Sequence, residues 1–187
     1  MLEPGAGAID AQREEMRQAG DAGSAQTAQI AALSQMLALA AGVSPDDVMI
    51  DRDHRRASVA AAPLPGASVA TYRALEQRSH QEADDWDIAI NPPQGPLPLI
   101  AFADNADTLD PAARDAVLTS AWAARRWNVR ALAVPGLPET TAKSPNLTQR
   151  RALAIAAILK SSGIGAVPTA PAGQSFRLSA AAREGAP

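Results

Sequence analysis

Two consecutive arginines, Arg150 and Arg151, stand in the opening turn of an otherwise apolar helix predicted within Glu139–Leu159, ETTAKSPNLTQRRALAIAAIL. The positive end of a helix macrodipole disfavours cations there. A guanidinium in that position is therefore often placed for something anionic outside the helix. Asn146 or Thr148 caps the same helix, because either side chain offers an oxygen to the free N–H groups of the first turn. A second account of the arginine pair is a solvated helix start, with Glu139 or Asp104 as the ionic partner and little net stabilisation.

The other residue types that do chemistry offer no recognisable constellation. His54 and His80 are the two histidines, and neither lies in a metal-binding spacing such as H-E-x-x-H. No G-x-S-x-G elbow, phosphate-binding glycine loop or dinucleotide fingerprint occurs. The chain has no cysteine, which removes thiol catalysis, disulfides and thiolate-bound metals. Asp104, Asp107 and Asp110 lack the glycine and glutamate of a calcium loop, so capping and turn formation is their expected work. The expectation is a non-catalytic protein without a cofactor or a bound metal.

Net charge is −3, with 17 basic residues dispersed among 20 acidic ones. The densest basic cluster, Arg52, His54, Arg55 and Arg56, is interleaved with Asp51 and Asp53 and reads as a solvated turn. No basic stripe suits a nucleic acid, so none is expected as a partner.

These candidates have to be positioned by elements that the pattern outlines. Residues 1–26 are rich in Ala, Gly, Gln and charge, and Gly20 and Gly23 interrupt a helix there, so this stretch is expected to be a flexible tail or linker. Apolar residues at Ile30, Leu33, Met36, Leu37 and Ala40 predict a helix over Thr27–Ala41, ended by Gly42. Val48–Asp51 and Ala57–Ala61 read as strands around a polar turn. A helix over Ser68–Glu82 presents Val69, Tyr72, Leu75 and Ser79, and Trp86–Ile90 alternates as a third strand. The order α-β-β-α-β ends at Asn91–Pro96, where three prolines and a glycine mark a boundary.

A second unit follows. Leu97–Phe102 reads as a strand, and Asp110-Pro111 starts a helix with aspartate at the N-cap and proline at N1, running to about Arg126 with Val117, Leu118, Ala121 and Trp122 inward. Val129–Val134 is a strand, the arginine-bearing helix ends near Ser162-Gly163, and Ala166–Pro168 and Ser175–Ser179 supply further strand pieces. The fold class is α/β in the α+β sense: two small sandwich modules, 27–92 as αββαβ and 97–183 as βαβαβ. Trp86, Trp122 and Trp127 are expected as core or interdomain anchors.

The second unit resembles the OmpA-like (OmpA/MotB C-terminal) domain family over roughly Pro98–Arg183. The likeness is carried by Ile100-Ala-Phe102 with Asn105 and Leu109, by Gly136-Leu137-Pro138-Glu139 at the place of the family's G-x-T-D turn, and by Leu147-Thr148-Gln149-Arg150-Arg151-Ala152, similar to L-S-x-x-R-A. The resemblance implies a peptidoglycan site in which a carboxylate and an arginine clamp the charged ends of diaminopimelate. Carried onto this chain those are Glu139 and Arg151, with Arg150, Asn146 and Thr148 beside them. Glutamate replaces aspartate, Pro138 replaces the threonine of the turn, and the connecting loop is shorter than in the family. Residues 27–92 resemble the small BON-type domain in topology alone, and a ferredoxin-like half describes them equally well.

The resemblance implies a periplasmic cell-envelope protein that anchors or scaffolds, through peptidoglycan or through envelope protein partners if the pocket is degenerate. The N-terminal stretch lacks the basic and apolar regions of a secretory signal, and the apolar run Met36–Val43 is too short to span a bilayer. A membrane tether is accordingly expected upstream of Met1, on a segment absent from this chain.

Overall fold

A computed structural model describes residues 6–140, 143–171 and 175–181. Met1–Gly5, and the end of the OmpA-like stretch beyond Ala181, lie outside the described residues. Over the described residues the fold is α+β, with four α-helices and small sheets.

Helix α1 runs from Ala6 to Ala41. The expected helix over Thr27–Ala41 is thus the last part of a longer one, and the stretch expected as a tail or linker is helical from Ala6 onward. Gly20 and Gly23 do not interrupt it; a Cβ at either would meet nothing within 4 Å. From Gln12 to Gln29 every residue is exposed, and burial begins at Ile30 and continues through Leu33, Leu37, Ala38 and Ala41. Gly42 ends the helix at φ +69°, a conformation that costs glycine nothing. The chain re-enters through a 3-10 turn, Pro45–Asp47, whose N-cap Ser44 and Asp47 form a capping box.

Strands β1 (Met49–Asp51) and β2 (Arg56–Ala60) form an antiparallel pair, and β2 runs parallel to β3 (Asp87–Asn91), with Ala57 opposite Ile88 and Val59 opposite Ile90. Helix α2 (Val69–Glu82) supplies the crossover. Its buried face is Val69, Tyr72, Glu76 and Ser79, so the face is rotated from the expected one: Glu76 points inward and Leu75 is half-buried. Tyr72 anchors the proline-rich breaker, because its Oη accepts from Leu64 N–H at 2.8 Å and donates to the Ala62 carbonyl at 2.9 Å.

In the second half, β4 (Leu99–Ile100) pairs with β7 (Phe176–Arg177). The expected strand Leu97–Phe102 is shortened to two residues, and the chain beyond it turns into a loop. Helix α3 (Pro111–Arg126) starts where Asp110 and Pro111 predict, with Asp110 Oδ1 accepting from Ala113 N–H at 2.7 Å. Strand β5 (Ala131–Pro135) is the centre of a three-stranded sheet, parallel to β6 (Gly165–Thr169) and antiparallel to β8 (Ser179–Ala180). Helix α4 (Leu147–Ser161) is the β5–β6 crossover.

One continuous cluster of buried side chains passes through both halves, from Leu37, Val59 and Ile90 to Val117, Leu132, Ile155 and Phe176. Trp86 and Trp122 belong to it, and Trp127 is partly buried against it. Among the described residues no helix is long and apolar enough to cross a membrane.

Candidate functional site

The N-terminus of α4 is held before any arginine takes part. Asn146 is the N-cap, in extended conformation, and its Oδ1 accepts from Gln149 N–H at 2.9 Å while Gln149 Oε1 accepts from Asn146 N–H at 2.9 Å. This reciprocal box satisfies two groups that a helix start otherwise leaves open. Its second residue, Thr148, packs its methyl against the turn after β5, where Gly136 has φ +73° and a Cβ would lie 2.7 Å from Thr148 Cγ2. Gly136 N–H in turn donates to the Thr169 carbonyl at 2.9 Å, so turn, helix start and β6 are tied together.

Arg151 follows on the buried side of this start and is only 7% exposed. Its Nε donates to the Ala106 carbonyl at 2.6 Å and its Nη2 to the Ala103 carbonyl at 2.8 Å. Ala103–Ala106 is itself a turn, closed by Ala106 N–H on the Ala103 carbonyl at 3.1 Å, with Asn105 at φ +55°. A planar guanidinium fork suits two carbonyls held side by side in this way. The guanidinium also lies 5.0 Å from the centroid of Phe102, within cation–π range. Phe102 meets Phe176 edge to face at 5.4 Å. The stack Arg151–Phe102–Phe176 therefore joins α4, the 101–110 loop and β7.

Arg150 takes the outer flank of the same loop. Its Nε donates to Asp107 Oδ2 at 2.7 Å and its Nη1 to the Pro145 carbonyl at 3.0 Å. The hydrogen bond from Arg150 holds the Asp107 carboxyl below the usual carboxylate range, and the positive charges of Arg150 and Arg151 act in the same direction. Both partners of this pair are close to half exposed, so its contribution to stability is small.

The residues expected to form a ligand clamp are thus distributed over different tasks. Asn146 caps, Thr148 packs, Arg150 pairs with Asp107 in place of the expected Glu139 or Asp104, and Arg151 serves backbone carbonyls. Glu139 is exposed, and among the described residues no ion pair joins it to either arginine. Residue types do not reveal what Arg151 grips, because its acceptors are the main chain of two alanines. Asn105, a residue tolerant of positive φ, was the one available sign of a tight turn. Trp122, expected as an anchor, meets Glu76 and Arg126 between α2 and α3; those two partners are not among the residues expected from sequence, and their signal is an acid on the i, i+3, i+7 stripe of Val69, Tyr72 and Glu76.

Among the described residues no group of three or more His, Asp or Glu side chains converges in a way that could hold a metal ion. No family model, curated protein or solved structure matches the chain.

Proposed function

We propose that this chain is a non-catalytic scaffold of the cell envelope, working in the periplasm as a structural subunit that binds protein partners. In this reading the site where OmpA-like domains take peptidoglycan has become an internal brace. One observation carries the reading: two N–H groups of Arg151 are spent on the Ala103 and Ala106 carbonyls, and the side chain is buried. Those bonds occupy the Nε/Nη2 edge of the guanidinium, one of the two edges that could take a carboxylate in the bidentate contact that makes arginine effective, and burial restricts access to the other. Glu139, the remaining half of the clamp, stands exposed and unjoined to it. The envelope assignment rests on the OmpA-like likeness of Ile100–Phe102 and Leu147–Ala152.

The test is calorimetric titration of the purified chain with a diaminopimelate-containing muropeptide, beside Arg151→Ala. The expected result is no saturable heat up to millimolar ligand. Saturable binding that disappears in Arg151→Ala would overturn the brace reading and return the chain to peptidoglycan recognition.

A further inference from the structure

The seam between the two halves is crossed by a line of polar side chains. Glu76 of α2 is 6% exposed. Its Oε2 accepts from Ile90 N–H in β3 at 2.8 Å, and its Oε1 accepts from Trp122 Nε1 and Arg126 Nη2 of α3, each at 2.8 Å. One turn earlier on α2, Arg73 Nη1 donates to Asp115 Oδ1 and to Thr119 Oγ1, each at 2.7 Å. Asp115, Thr119, Trp122 and Arg126 fall at i, i+4, i+7 and i+11 of α3, a single face of that helix. Beyond its end, Trp127 Nε1 donates to the Pro92 carbonyl at 2.9 Å.

Apolar helix faces can slide past one another at little cost, whereas a buried carboxylate with three donors has one satisfying geometry. Removing it leaves Trp122 Nε1 and the Ile90 N–H without an acceptor at buried positions and takes from the part-buried Arg126 its carboxylate partner, and Arg126 Nε is already buried with no hydrogen-bond partner. A buried ionic group of this kind contributes little net stability, and its best-attested use is to specify one arrangement. The boundary at Asn91–Pro96 has the composition of a hinge, yet Pro92 and Leu97 are buried and the Pro92 carbonyl is pinned by Trp127.

We infer that Glu76 is the joint that locks the two halves into one rigid body that unfolds as a unit, fixing α1 relative to α4. The proline-rich connector is then a strap and not a hinge. This holds whatever the chain binds, so it stands or falls separately from the proposed scaffold role.

The absence of cysteine allows clean labelling. Spin labels on cysteines introduced at Leu39 of α1 and Lys160 of α4, both exposed, report the inter-half distance by pulsed electron resonance in the full chain. The parent is expected to give one narrow distance, with tryptophan fluorescence and far-UV circular dichroism unfolding together. Glu76→Gln keeps the shape but loses the charge and one acceptor oxygen; it is expected to broaden the distribution and split the two transitions. Should that variant fail to fold, Glu76→Leu with Trp122→Phe and Arg126→Met removes the ion pair and the indole donor together, a kind of change that proteins tolerate, and is expected to broaden the distance while keeping both halves folded. A broad distance in the parent would overturn the proposal. So would a parent-like distance and coincident transitions in the variant that folds.

Discussion

Gly136 carries no side chain at the point where Thr148 leaves no room for one, since a Cβ there would sit 2.7 Å from the threonine methyl. The contact is where the end of β5 meets the start of α4, and it sets the distance between them.

Gly136→Ala is therefore expected to destabilise the fold twice over, through the clash and through φ +73°, by about 1–3 kcal/mol. Adding Thr148→Ser removes the methyl but not the backbone strain. Urea denaturation of the single and double variants should show a partial recovery; full recovery would mean that the backbone conformation costs nothing, and none would place the clash elsewhere.

Arg151→Ala is expected to cost about 1–3 kcal/mol, because two carbonyl acceptors lose a charged donor and Phe102 loses its cation. Arg151→Lys should recover only part of this, since one ammonium does not span the Ala103 and Ala106 carbonyls as a fork does. Amide exchange localises the effect: protection should fall first at Ala106, whose N–H closes the turn on Ala103. Equal stability of the alanine and parent chains would remove the bracing role.

The Arg150–Asp107 pair has a pH signature of defined sign. Asp107 is held below the usual carboxylate range by Arg150, whereas in the unfolded chain it titrates as an ordinary aspartate. Its contribution is fully present above that unfolded value and is lost as pH falls through the lower folded one. The difference in urea midpoint between parent and Asp107→Asn should hence be constant near neutrality, vanish in acid, and shrink with added salt. A difference that grows in acid would show that the pair is not what is being measured.

Much of the second half was legible because its elements begin and end on residues with a single dominant local role. Asp110-Pro111 fixes the first residue of α3, and Asn146, one of the two expected caps, is the N-cap of α4, while Gly163 sits at positive φ where α4 stops, as Gly42 does after α1 in the first half. The start of α1 was not legible, because glycine weakens an exposed helix by about 1 kcal/mol without forbidding it, and Gly20 and Gly23 face open space. The inward turn of Glu76 was hidden by Leu75 beside it, since one residue of rotation separates an ordinary apolar stripe from a stripe with an acid in it. For Arg151, identity and helical position were readable and the direction of the side chain was not. That direction depends on a turn forty-odd residues earlier in the chain, and main-chain carbonyls leave no mark on a sequence.

Pro168 lies in β6, an outer strand of the three-stranded sheet centred on β5, opposite Val134 of β5. Gly165 N–H donates to the Arg130 carbonyl and the Thr169 carbonyl accepts from Gly136 N–H, so alternation turns Gly165, Val167 and Thr169 toward β5 and leaves Ala166 and Pro168 facing outward. The missing N–H of proline thus falls on the free edge. A stray strand approaching this border from a neighbouring molecule finds within β6 only Ala166 as a donor, too little to grow upon, so that at high local density this edge of the sheet is closed to pairing between copies.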